Sequence, residues 1–137
     1  IRLGTLVSNE KSIKELQKTE PAWKLSQFDS IYLQEALKDS SFKTLSRAIN
    51  VKNNILLEKI LNESNLFSEV ISSDANFILA KLKTKTAKQL QKAFNPHKIL
   101  IRDCSNFDYL DERYVRFAVK SQEKMLKLKV ALDGIQE

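Results

Sequence analysis

The chain has 137 residues, 42% hydrophobic and 29% charged, which supports one ordinary core and excludes a disordered tract. One cysteine and one histidine exclude a disulfide framework and a Cys-rich zinc site and argue against a His-relayed nucleophile. Two glycines, where average usage of about 7% would give roughly ten, exclude a glycine-rich phosphate loop.

The net charge of +6 sits in the second part of the chain, since residues 1–80 hold 10 basic and 10 acidic residues and residues 81–137 hold 13 and 7. Such a bias suits nucleic acid, an anionic membrane, an anionic small ligand or simply solvated helix faces. Lys81, Lys83, Lys85, Lys88 and Lys92 are spread along the chain, which favours the solvated faces. No apolar run approaches the roughly 20 residues that cross a bilayer. The start shows no secretory pattern, and Ile1-Arg2-Leu3-Gly4 reads as if cut from something larger.

Residues 2–8 are apolar enough for a short buried strand, and Ser8-Asn9 is a helix N-cap pair. A helix is expected from there to about Lys18, ended by Pro21. Trp23 follows as a core or hinge aromatic. A long helical region comes next, with Leu25, Phe28, Tyr32 and Ala36, then Leu45, Ile49, Leu56 and Ile60, at helical spacing. Asp39-Ser40-Ser41 and Asn53-Asn54 are its possible bends.

After Asn65 the period changes. Phe67–Ser72 reads as a strand, and Ala75–Leu82 as another with apolar residues on both faces, the mark of a covered central strand. Thr84 or Thr86 caps a helix carrying Ala87, Leu90 and Phe94 that ends at Pro96. Ile99-Leu100-Ile101 is a third strand, and Tyr114–Lys120 a fourth, with Val115, Phe117 and Val119 on one face. Met125, Leu128 and Leu132 line a last helix with Gly134 at its C′ position. Helices first, then strand, strand, helix, strand, strand, helix make an α+β lobe docked to a long helix.

Two arginines stand out within the lobe. Arg102 follows one apolar strand, and Arg116 lies inside another with apolar neighbours. A guanidinium drawn into a strand needs an anion or a dense set of hydrogen bonds, and its planar fork matches carboxylate and phosphate. Alternatively, each pairs with an acid such as Asp103, Asp111 or Glu112.

Residues 99–121, ILIRDCSNFDYLDERYVRFAVKS, resemble the C-terminal signature of fold-type I pyridoxal-phosphate enzymes. In that signature a strand ends in an arginine, a polar Cys-Ser/Ala-Asn-aromatic loop and a Leu-Asp pair follow, and a second arginine lies within a strand. The 14-residue separation of Arg102 and Arg116 is more similar to the threonine-phosphate decarboxylase branch than to the histidinol-phosphate aminotransferases. Ala75-Asn76-Phe77, Pro21-Ala22-Trp23-Lys24-Leu25-Ser26 and Ile1-Arg2-Leu3-Gly4 resemble further family segments in the same order, so the likeness covers essentially the whole chain. Three places depart from it. Thr5 stands where an aromatic is common, Lys98 where a glycine precedes the strand, and Asp108-Tyr109 where Pro/Arg-Gly is usual.

The resemblance implies an aspartate aminotransferase-like C-terminal portion of a pyridoxal 5'-phosphate enzyme. Residues 1–22 would end the large cofactor domain, 23–64 would be the interdomain helical segment, and 65–137 the small C-terminal α+β domain. Arg2 would bind the cofactor phosphate, Arg116 the substrate α-carboxylate, and Arg102 a second anion, the substrate's own phosphate. The Schiff-base lysine would lie upstream of Ile1, so the chain is expected to be inactive alone. The resemblance further implies a small, phosphorylated amino acid as substrate, a cytoplasmic homodimer, and no metal, membrane or nucleic-acid partner. The in-class alternative is a histidinol-phosphate-type aminotransferase. The alternative from another class is a basic α+β nucleic-acid-binding module, which would want aromatics interleaved with Lys/Arg on one sheet face.

Overall fold

The computed structural model describes residues 4–135, which divide into two compact units between Lys43 and Thr44. Among the described residues no helix is long and apolar enough to cross a membrane.

The first unit holds helices α1 (Glu10–Gln17) and α2 (Gln27–Lys38). Asn9 caps α1 as expected, its side chain accepting the Ser12 N–H at 2.9 Å. Ser26 caps α2 in the same way through the Asp29 N–H. Neither helix buries a residue, and Leu6, Val7, Phe28, Ile31 and Leu37 all face solvent. Two expectations fail here. Residues 4–8 of the expected strand are irregular and exposed, because a strand needs a hydrogen-bonded neighbour and none flanks this stretch among the described residues. Trp23 is 94% exposed in the turn between the helices, not part of a core.

The helical run breaks at Asp39, whose carboxylate accepts the backbone N–H groups of Ser41 and Phe42 and so opens α3 (Phe42–Glu63). These bonds, with that of the Ser41 hydroxyl, hold the Asp39 carboxyl below its usual range. No bend occurs at Asn53-Asn54. Asn54 is buried, and its amide donates to the carbonyls of Ser73 and Ala75. The helix therefore continues through a polar residue whose amide is engaged.

The second unit is built on four antiparallel strands in the order β1-β2-β4-β3: β1 (Phe67–Ile71), β2 (Phe77–Leu82), β3 (Arg102–Asp103) and β4 (Tyr114–Ala118). Helix α4 (Ala87–Phe94) lies between β2 and β3, and α5 (Gln122–Asp133) follows β4. Thr86, not Thr84, starts α4, and it forms a capping box with Gln89. One core gathers Leu57, Ile60 and Leu61 of α3, Ile78, Ala80 and Leu82 of β2, and Leu90 and Phe94 of α4. Val115 and Phe117 of β4 and Met125, Leu128 and Leu132 of α5 complete it. Phe117 meets Phe67 and Phe94 edge-on at 5.6 and 6.4 Å between ring centres.

The helices contribute to one face of this sheet only. Phe77 and Leu79, expected on a covered second face, are half-buried, so the two-sided apolar pattern of β2 has cover on one side. The third strand also departs from expectation. Residues 99–101 form no strand, and Leu100 is 95% exposed. Their backbone is engaged by α4 instead, through the Ile99 N–H on the Phe94 carbonyl and the Gln91 side chain on the Ile101 carbonyl. Gly134 ends α5 in a right-handed conformation, so the left-handed C′ role assigned to it is not used.

Candidate functional site

The open sheet face is assembled by register. Leu79 of β2 lies opposite Arg116 of β4, and Arg116 lies opposite Arg102 of β3. Directly opposite residues of an antiparallel pair point to the same side, with Cβ atoms about 4.5–5.5 Å apart. The two arginines singled out from the sequence are therefore cross-strand neighbours on one face. Phe77 and Lys81 share that face through their pairings with Ala118 and Tyr114.

Each guanidinium is held by neutral groups. Arg116, half-buried, has its guanidinium carbon 4.5 Å from the centre of the Phe77 ring. Arg102, exposed, donates from Nη2 to Asn106 Oδ1 at 3.0 Å and lies 5.7 Å from the Phe107 ring centre. Lys81 sits 5.0 Å over the Tyr114 ring.

Two of the acids that could have neutralised these cations, Asp111 and Asp103, accept hydrogen bonds from other groups. Asp111 pairs with Arg113 at 2.8 Å, which holds its carboxyl below the usual carboxylate range. The Ser105 backbone N–H and hydroxyl do the same for Asp103, with smaller help from the Lys88 and Arg102 charges. Among the described residues no ion pair joins Asp103, Asp111 or Glu112 to Arg102 or Arg116. The site thus gathers two like charges face to face, an arrangement that is unfavourable until an anion lies between them.

The remaining sequence candidates fall outside this pair. Arg2 lies outside the described residues. Cys104 is buried next to β3, and that burial pushes its thiol above the usual range, as suits a small core residue. His97 is exposed at the end of a 3-10 turn, Asn95–His97. Asn76 is exposed and uses its carbonyl to accept the Val119 N–H at 2.8 Å, a strand-start role. Sequence reasoning missed the supporting contacts of Phe77, Asn106 and Phe107. Parity within β2 did place Phe77 opposite the core-facing residues, but its position beside Arg116 needed the β2–β4 register.

No family model matches the chain. A candidate threonine-phosphate decarboxylase of Caldanaerobacter subterraneus is 32% identical over 140 aligned residues, covering all of this chain and 37% of the relative. The histidinol-phosphate aminotransferase structure from Clostridium acetobutylicum superposes on 92% of the chain and 38% of its own, with a TM-score of 0.86 and 28% identity. The L-threonine-O-3-phosphate decarboxylase structure from Porphyromonas gingivalis covers 93% of the chain and 39% of its own, with a TM-score of 0.82 and 28% identity. The chain thus spans little more than a third of the length of the curated relatives it matches. With the four-stranded lobe and the paired arginines in hand, these likenesses show that the chain shares the fold of a little over a third of such enzymes and is similar in sequence to threonine-phosphate decarboxylases and histidinol-phosphate aminotransferases.

Proposed function

We propose that the chain is the C-terminal part of a pyridoxal-phosphate-dependent enzyme that decarboxylates a small phosphorylated amino acid, in the manner of threonine-phosphate decarboxylases. The observation that carries this reading is the cross-strand pairing of Arg102 with Arg116. An amino acid phosphate has two anionic ends, and two adjacent guanidiniums with neutral supports fit two anions. Arg116, the less exposed, is assigned the α-carboxylate as a bidentate pair, and Arg102 the phosphate. Arg2 is assigned the cofactor phosphate through its family position alone. When bound, the cofactor supplies an electron sink for the bonds of the substrate α-carbon. The chain's own contribution is to hold both ends of the substrate and so fix which bond is presented. The exposed apolar residues of α2 and of the first part of α3, among them Phe28, Ile31, Phe42 and Ile49, would pack against the rest of the protein and a second subunit. The whole enzyme would be a cytoplasmic homodimer.

The test uses the intact enzyme. Arg116→Ala should lower kcat/KM for every α-amino acid substrate by about 30- to 1000-fold, on the order of 2–4 kcal/mol. Arg102→Ala should penalise O-phospho-L-threonine strongly and leave the poor turnover of L-threonine nearly unchanged. Equal losses on both substrates with Arg102→Ala would sink the phosphate assignment. A second reading, transamination of histidinol phosphate or a similar phosphorylated amine, is favoured by the TM-score of 0.86 to the Clostridium acetobutylicum enzyme. Carbon dioxide release without an oxo-acid co-substrate supports the decarboxylase, and oxo-acid-dependent turnover supports the aminotransferase.

A further inference from the structure

Arg102 lies at an exposed strand end, where a long side chain has much rotamer freedom to lose when it meets a ligand. Two groups from the loop that follows restrict that freedom. Asn106 Oδ1 accepts from Nη2 at 3.0 Å, and the Phe107 ring stands 5.7 Å from the guanidinium carbon. An aspartate at position 106 could accept the same hydrogen bond more strongly, but it would cancel the charge that draws an anion.

We propose that Asn106 is the positioning residue of Arg102: its neutral carboxamide aims the guanidinium while leaving the positive charge available to the substrate's phosphate. The inference rests on the assignment of that phosphate to Arg102. It explains why a short polar residue sits four positions after the arginine, where the 105–107 loop brings the amide back to the strand end. It also separates two effects that a merely structural asparagine would not separate. A structural role needs only the acceptor, which aspartate keeps and alanine loses. A charge-preserving role ranks the variants the other way.

The experiment compares Asn106→Asp, Asn106→Ala and Arg102→Ala in the intact, cofactor-loaded enzyme. Read-outs are kcat and KM for O-phospho-L-threonine and L-threonine, competitive inhibition by inorganic phosphate, and the melting temperature. Asn106→Asp should raise KM for the phosphorylated substrate and the inhibition constant of phosphate together, by about 10-fold or more, with kcat within about 2-fold. Asn106→Ala should raise both by about 3-fold, and neither variant should change KM for L-threonine. Asn106 is exposed, so both variants should melt close to the parent. An aspartate variant that matches the parent, or is milder than alanine, overturns the proposal. If Arg102→Ala discriminates between the substrates and the Asn106 variants do not, the positioning role falls and the phosphate assignment stands. If Arg102→Ala does not discriminate, both fall.

Discussion

Single residues in this chain are decided by what their polar atoms meet. Asn54 has poor helix propensity and reads as a bend, yet it sits inside α3 because its amide is spent on the Ser73 and Ala75 carbonyls. Those bonds tie the β1–β2 connection to the helix. Asn54→Ala should destabilise the fold by about 1–3 kcal/mol, the cost of losing two part-buried hydrogen bonds, although the Ala75 carbonyl keeps a longer one from Asn50. Lys52→Ala on the exposed side of the same turn should change stability by no more than about 0.5 kcal/mol. Urea unfolding of both variants checks the contrast, and equal effects would deny Asn54 its role. Backbone conformation follows a similar logic at Lys98 (φ 56°) and Tyr109 (φ 67°). These are the two positions where the family resemblance expects glycine. The left-handed conformation persists there without the residue that adopts it at least cost.

At the scale of elements, local signals and tertiary demands agree best in α4. Thr86 and Gln89 bond reciprocally across its first turn, and Ala87, Leu90 and Phe94 place one stripe in the core. Thr86→Ala should cost about 0.5–2 kcal/mol, because it leaves the Gln89 N–H without its acceptor. A thermal melt of the variant tests this, and an unchanged midpoint would show that the cap contributes nothing. Agreement is poorest just downstream. Ile99-Leu100-Ile101 has strand composition, but the turn at Lys98 and the bonds to Phe94 and Gln91 hold it against α4. Strand pairing then begins only at Arg102, in the register that sets it opposite Arg116.

Across the whole molecule, stability is unevenly distributed. Residues 44–137 contain the buried cluster, whereas α1 and α2 bury no side chain. Helices of 8 and 12 residues without a buried face are marginal in water. Hydrogen exchange on the 137-residue chain should therefore find the amides of β2 and β4 most protected and those of α1 and α2 close to unprotected. Comparable protection in α1 and β4 would contradict this division.

The order of elements from α1 onward, caps at Ser8-Asn9 and at Thr84 or Thr86, the core stripe of α4 and the two arginines of interest were legible in the sequence. They rest on periods of 2 and 3.6 residues, on local hydrogen bonds, and on motif residues that stand near one another in the chain. Family resemblance added the expected fold and the expected relatives, and the similar proteins and solved structures bear out both. Other features depended on contacts between distant segments. Only the register of β2, β3 and β4 shows that Arg102 and Arg116 face each other and that Phe77 lies against Arg116. Only packing shows that β2 is covered on one side and that Asn54 is occupied rather than bending its helix. Period and propensity describe which way a side chain points from its own element. Which residue it then meets depends on how that element is paired with its neighbours, and that is a property of the folded chain.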